Sequence, residues 1–547
     1  MKRLRDPFTW IALGFVLAVA IGATWDVPCT DSWSHDEVSP RATMLGAVFL
    51  TWTPGHFFRY PPLHVLGLTI LQSPLILAGA LRAGTQPAAL EAELIHPGYM
   101  TIAALIGRAV SMLMALGIVA NVRRLFARIG GEEVGLFAAA VTALNAIFVY
   151  FAHVASVDVP YLFWTSLVLV ELDRVAAGEG RPRRLFAFMA CALLTKDQSA
   201  MLIAVPAFAV LVVRPWRSGG ARAVFARATV RPALVALAVY LVGSGMVSNP
   251  SGFRAKLAWM KWGNEAWVSY ERSPAGVAAQ LRDVVDALPI FAAPGIWLLA
   301  GAGLVLALRG PRDPVLVRRM LPLFAAVGYL LLFVIPSRWV MERHLMPLAL
   351  FLVPYAGFVF ADVARRLRQP RWAWVLAGVL LVPQLRAVAS VDATLLAEPK
   401  NAVEARLAEL PAGTKVVVLG GNPYLPRLPA KLDVVRIGAE PLAERSALPG
   451  VREIVAPYSS VRTADADWVV VGESFADTYL PHPGAQTAQQ KKLAADVDAT
   501  EFFSDLVAER AGFRYEVRAE CKLPWPLECR RVHLSTGAES WLFRRAQ

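Results

Sequence analysis

Long apolar stretches, each cut off by a short block of arginines, constrain this 547-residue chain more than any other feature. A helix needs roughly 20 apolar residues to cross a bilayer, and runs of that kind recur between residues 8 and 390. With 56% hydrophobic residues and a mean hydropathy of +0.47, the chain is too apolar for a soluble globular protein of this size. The formal net charge is +13. Its basic residues sit in blocks between apolar runs, the pattern of cytoplasmic loops, which argues against a nucleic-acid surface.

Those blocks fix an expected topology. Arg3/Arg5, Arg123/Arg124/Arg128, Arg181/Arg183/Arg184, Arg214/Arg217/Arg222, Arg309/Arg312/Arg318/Arg319 and Arg365/Arg366/Arg368/Arg371 go to the cytoplasmic side. The spans between them are 8–25, 100–122, 134–153, 159–176, 185–195, 199–213, 232–248, 288–308, 321–337, 344–362 and 372–390. That makes about eleven crossings, with the N-terminus inside and the C-terminus outside. The basic start at Met1–Arg5 has no small-residue cleavage site after it, so the first helix reads as an uncleaved anchor. Residues 62–81 are read as a helix in the outer interface, because a further crossing would invert every later block. Residues 185–213 are read as a hairpin whose polar tip, Thr195–Ser199, reaches the outer face.

The expected fold class is mainly α: a polytopic membrane module over 1–391, whose first outer loop is 26–99, followed by an outer α/β domain over 392–547. In the second part the composition turns mixed and charged. Lys415–Gly420, Trp468–Gly472, Tyr515–Lys522 and Arg530–Ser535 read as strands, and Asn401–Leu410 as a helix. Cys521 and Cys529 fall on the oxidising side, where a structural disulfide between them is one of two open readings. Asp465-x-Asp467 and Asp496-x-Asp498 mimic a metal-binding acidic motif, and both are read as surface residues. Trp259, Trp262 and Trp267 read as an interfacial belt, with sugar contact as the other open reading.

The topology gathers polar residues from distant parts of the sequence at the outer face. They include His35, Asp36, Glu37, Arg59, Tyr60, His64, Arg108, His153, Asp158, Lys196, Asp197, Arg343 and His344. Ionisable groups at membrane depth are costly and are usually paired or functional. A carboxylate can deprotonate a hydroxyl nucleophile, while Arg and Lys can hold a departing phosphate. The mixture suits transfer of a group from a lipid phosphate to an alcohol.

The order Asp36-Glu37, Tyr60-Pro61-Pro62-Leu63, Gly107-Arg108, His153 to Asp158-Val159-Pro160, Leu194-Thr195-Lys196 and Arg343-His344-Leu345-Met346-Pro347 resembles the GT-C membrane glycosyltransferases. Within them it is most similar to the dolichyl-phosphate-mannose protein mannosyltransferase and aminoarabinose (lipid A) transferase family. The resemblance covers most of 8–362. It implies Asp36 as the base, Glu37 assisting it, and Asp158 as a second acidic position. Lys196 and Arg343 match basic positions implied to hold the lipid phosphate, with His344 and Arg108 grouped beside them. Arg59, Tyr60, His64 and His153 are assigned to substrate binding. Two departures stand out: Asp197 where the family usually has Gly, and Tyr60 where the aminoarabinose transferases carry Lys.

Simpler readings stand beside these. Arg108 can tether the bundle through Asp158, His64 and His153 can be packing residues, and Arg343-His344 can mark a span end. His35, Asp36, Glu37, His153 and Asp158 are the N/O candidates for a divalent metal, which is not expected to be obligatory. The expected partners are a polyprenyl-phosphate-linked sugar, an acceptor glycan, lipid or protein, and membrane lipids, with no nucleic acid. The expected location is a bacterial inner membrane with the C-terminal domain periplasmic. A flippase of lipid-linked sugars and a non-catalytic scaffold are the alternative functions.

Overall fold

A computed structural model describes residues 6–29, 31, 37–51, 53, 60–309, 315–367, 369–442, 445–480, 486–532 and 536–546. His35, Asp36 and Arg59 therefore lie outside the described residues.

The membrane module is a bundle of helices. It begins with α1 (Pro7–Gly22), α2 (Arg41–Val48), α3 (Leu63–Ala83), α4 (Pro87–Leu94), α5 (Pro97–Gly130), α6 (Glu132–Ala143), α7 (Ala146–His153) and α8 (Asp158–Ala176). It continues through α9 (Pro182–Thr195), α10 (Ser199–Phe208), α11 (Arg214–Val224), α12 (Arg227–Gly243), α13 (Pro250–Ala266), α14 (Pro274–Ala287) and α15 (Pro294–Leu308). It closes with α16 (Val315–Tyr329), α17 (Ile335–Ser337), α18 (Glu342–Leu352), α19 (Ala356–Arg366) and α20 (Pro370–Leu396). Proline repeatedly starts a helix here, as in α5, α9 and α20, where its missing N–H would be unpaired anyway.

The expected apolar segments are largely helical, but 288–308 is broken at 291–293, where Pro274–Ile290 and Pro294–Leu308 meet at 109°, 232–248 leaves the helix after Gly243, and not every helix is long enough to cross alone. Among the described residues, six helices are long and apolar enough to cross a membrane, or up to eight if each of two bent pairs is one span. α1, α9 and α12 have 16, 14 and 17 residues, short of the roughly 20 needed. α8 has 19 residues but carries Asp158, Glu171, Asp173 and Arg174. The expected span 134–153 is broken: Asn145 caps α7 by accepting a bond from the Phe148 N–H at 3.0 Å, and α6 and α7 meet at 63°. α3, expected in the interface, is by length and composition able to cross, with 21 residues.

The C-terminal domain follows α20 directly. It holds α21 (Lys400–Glu409), α22 (Glu473–Ala476), α23 (Ala488–Ala494) and α24 (Val497–Val507) around six strands. The strands are β1 (Lys415–Leu419), β2 (Asp433–Gly438), β3 (Val451–Val455), β4 (Trp468–Gly472), β5 (Phe513–Ala519) and β6 (Ser540–Arg545), in the order β3-β2-β1-β4-β6-β5. The first four are parallel, and β6 joins β4 and β5 antiparallel. β1 and β4 are unbroken apolar runs because both faces of the sheet are covered. Val417, Leu419, Val469 and Val471 enter one core, while Val416, Val418, Trp468 and Val470 enter the other. The strand expected at 530–535 is not found: residues 530–532 are irregular, 533–535 lie outside the described residues, and the last strand is 540–545. Cys521 and Cys529 are bridged.

This domain is fastened to one end of the bundle. The Lys400 ammonium is 3.7 Å from the Asp26 carboxylate and donates to the Pro423 carbonyl at 2.9 Å. Arg427 donates to the Val27 carbonyl at 3.0 Å, and the Tyr150 and Thr536 hydroxyls are 3.1 Å apart. Burial raises the Asp26 carboxyl, and Lys400 opposes that shift.

Candidate active site

The domain-bearing end of the bundle is where the chain breaks its helices around charged side chains. Asp158 opens α8, and its backbone N–H is held by the Ser156 hydroxyl at 3.2 Å. Lys196 occupies the break between α9 and α10, in extended conformation after Thr195. The break brings them together: the Lys196 ammonium donates to Asp158 Oδ1 at 2.6 Å, with both side chains buried. Asp158 Oδ2 is buried, with no hydrogen-bond partner among the described residues. Such an oxygen is expensive to leave unpaired.

Aromatic rings complete this pair. The Lys196 ammonium lies 5.2 Å from the Tyr161 ring centre and 5.7 Å from that of Tyr60. A cation over ring faces is held without neutralising it. Tyr60, the residue before Pro61-Pro62, thus stands directly against the lysine. The Tyr161 and Tyr329 hydroxyls are within electrostatic reach of Asp158 and Arg343, which brings the start of α18 to the same cluster. His344, next to Arg343, packs edge-on against Phe333 and Trp339 at 5.1 and 4.5 Å. A cavity of about 300 Å³ opens between Phe151, Glu342 and Arg343 of the bundle and Ser474, Asp477 and Arg531 of the domain.

The first outer loop is pinned by Glu37. Its Oε1 accepts from the Ala155 N–H at 3.1 Å and lies 3.5 Å from Arg108 Nε. Val38 N–H donates to the Ala155 carbonyl at 2.9 Å, so the loop lies along 155–156 as a short antiparallel bridge. Arg108 also donates to the carbonyls of Ala23 and Trp25, at 3.1 and 2.6 Å. Arg108 is thus a tether, but its partner is Glu37, not Asp158. This arrangement sets Glu37 and Val38 beside residues 155–156, just before α8.

Two of the assigned histidines are buried between helices. His153 Nδ1 is 2.7 Å from the Val149 carbonyl, while Nε2 is 3.3 Å from the Ala18 carbonyl and 3.4 Å from Asp392 Oδ1. It joins α1, α7 and α20 as a packing residue. His64 is buried in α3, with no hydrogen-bond partner on Nε2 among the described residues. Of the N/O metal candidates, Glu37, His153 and Asp158 are thus directed to three different partners. Among the described residues no group of three His, Cys, Asp or Glu side chains could hold a metal ion.

One participant was not singled out in the sequence. Lys256 of α13 is buried, and its ammonium is 2.6 Å from Asp197 Oδ2. The acidic departure at 197 therefore has its own cation, which ties the 196–198 break to α13. Trp267 stacks on Trp339 at 5.6 Å, whereas Trp259 and Trp262 are exposed, as an interfacial belt requires.

No family model matches this chain, and no curated protein does. Among solved structures it is similar to ArnT from Cupriavidus metallidurans bound to undecaprenyl phosphate, at 15% identity, covering 98% of each chain, with a TM-score of 0.48. It is also similar to the Archaeoglobus fulgidus oligosaccharyltransferase tethered to an acceptor peptide, at 11% identity. That match covers 98% of this chain and 78% of the other, with a TM-score of 0.46.

Proposed function

We propose that this chain is a GT-C-type inverting glycosyltransferase that moves a monosaccharide from a polyprenyl-phosphate donor to an acceptor hydroxyl. The carrying observation is the buried Asp158–Lys196 pair under the Tyr161 ring, with half-buried Arg343 in electrostatic reach of Tyr161, built from separate helices at the domain-bearing end. In this reading that end faces the periplasm of a bacterial inner membrane, and the N-terminus is cytoplasmic. The disulfide in the C-terminal domain supports that side.

Lys196 and Arg343 hold the donor phosphate as its charge grows. Asp158 positions Lys196 through Oδ1. Asp36 takes the proton of the acceptor hydroxyl, and Glu37, fixed to Arg108 and Ala155, holds the segment that carries it. The acceptor oxygen bonds to the anomeric carbon as the carbon–oxygen bond to phosphate breaks on the opposite face. Polyprenyl phosphate leaves with the bonding pair. The base contributes about 10²- to 10⁴-fold.

The test is release of free polyprenyl phosphate, measured by mass spectrometry, from a panel of polyprenyl-phosphate sugars with an envelope extract. Release with one sugar, lost in folded Asp36→Asn, supports the reading. Undiminished release in that variant removes Asp36 as the base. No release with any donor removes the transferase.

A further inference from the structure

A groove of about 1050 Å³ lies between α9 and α12, running from a mouth far from Lys196 up to Leu63 and Leu194, next to the candidate active site. Each helix gives it one face. Arg183, Ala187, Cys191 and Leu194 recur at helical spacing on α9, as do Arg231, Val235 and Val239 on α12. Small side chains on α9 make the face concave. At one end α9 and α12 close together: a Cβ on Gly243 would lie 2.9 Å from Leu194. At the other end the mouth carries five arginines, Arg181, Arg183, Arg184, Arg227 and Arg231.

Those arginines are all exposed, and among the described residues none of them forms an ion pair. Nearby acids are engaged elsewhere: Glu171 accepts from the Arg181 backbone N–H at 2.7 Å, and Glu179 pairs with Arg128 at 2.8 Å. The mouth is thus strongly cationic, and the groove above it is apolar. From Arg183 to Leu194 is about 17 Å along the helix, close to half of the roughly 30 Å hydrocarbon core. The groove therefore has the depth of one leaflet.

We propose that this groove binds an anionic phospholipid, its phosphate against the five arginines and its acyl chains between α9 and α12. Basic pockets between helices at the cytoplasmic side are suited to such headgroups, each cation adding about fivefold in affinity. Because α9 leads from this mouth to Lys196, the lipid braces the helix that presents the lysine. The occupant is distinct from the polyprenyl-phosphate donor, and the proposal does not require sugar transfer.

Cys191 lines the groove and is half-buried, whereas the other free thiol, Cys29, is buried. The full-length protein in detergent micelles is therefore labelled with a maleimide in the presence of phosphatidylglycerol, phosphatidylcholine or a polyprenyl phosphate, with Cys191→Ser as background. The expected result is labelling slowed about fivefold or more by phosphatidylglycerol alone, with each arginine removed weakening the protection about fivefold. Arg183→Ala/Arg184→Ala/Arg231→Ala abolishes it, and the corresponding lysine variant restores most of it. Equal protection by phosphatidylcholine, or protection that survives the triple alanine variant, overturns the proposal. Protection by polyprenyl phosphate but not by phosphatidylglycerol assigns the groove to the donor lipid and also overturns it. None of these outcomes bears on the transfer reaction, which the release assay tests separately.

Discussion

Two buried aspartates sit on the same helix and are bonded in opposite ways. Asp173, in the last turn of α8, has both oxygens occupied. Arg318 donates to Oδ1 at 2.6 Å and to Oδ2 at 3.3 Å, and Arg128 also binds Oδ2. Arg318 donates onward to the Arg128 carbonyl at 3.3 Å, closing a clamp of α5, α8 and α16. Asp158, at the first residue of α8, has one lysine on one oxygen and, among the described residues, no partner on the other. Both are fully buried, so burial alone does not tell them apart. Satisfaction does: a closed ionic network holds helices in place, and an open one leaves capacity for a ligand.

The sharpest way to break this contrast is at Lys196. Lys196→Ala is expected to lower polyprenyl phosphate release by about 10²- to 10³-fold, the size of losing one transition-state donor. An effect below tenfold would place the phosphate elsewhere. At the closed end, Asp173→Ala leaves two arginines without their shared anion. It is expected to cost about 3–5 kcal/mol of stability, read as a lowered midpoint of unfolding, with turnover per folded molecule near wild type. Glu37→Gln falls between the two. It weakens the bond to Arg108, costing about 1.5–3 kcal/mol, and it is expected to slow transfer because Glu37 adjoins Asp36 in sequence.

Two smaller effects belong to the C-terminal domain. Replacing Cys521 and Cys529 by Ser opens a bridge across a sequence separation of 8, worth about 2–3 kcal/mol by chain entropy. The smallest is a pH effect. Arg462, with Arg510, holds the Asp505 carboxyl below its ordinary range. Its folded form is therefore favoured above the unfolded carboxylate value of about 3.9. That contribution is lost as pH falls through the lower folded value. Asp505→Asn should flatten the acid limb of a melting-temperature profile, and an unchanged limb would remove this pair from the account.

Much of the architecture was legible because it follows from one-dimensional patterns. Apolar runs gave the helices, and the valine runs at 416–419 and 469–471 gave the central parallel strands. The helix expected at 401–410 appears as 400–409. The meeting of Asp158 with Lys196 was legible only as a shared side of the membrane. Which charge takes which partner was not legible, because it depends on side-chain reach across helices. Arg108 therefore pairs with Glu37, and Asp197 with a lysine in a tryptophan-rich segment that read as interfacial. The break at Asn145 had a local signal, a capping residue between apolar runs, which a span-length reading overrides. The last strand was displaced because 530–532 packs against α20: the Arg530 N–H donates to the Thr394 hydroxyl at 3.0 Å.

The most direct test compares Asp158→Asn with Asp173→Asn in one release assay, normalised to folded protein. The account predicts that Asp158→Asn loses at least about 10²-fold in release, while Asp173→Asn keeps turnover per folded molecule and loses only stability. Equal losses in turnover, or a loss at Asp173 alone, would contradict the division of α8 into a working end and a clamped end.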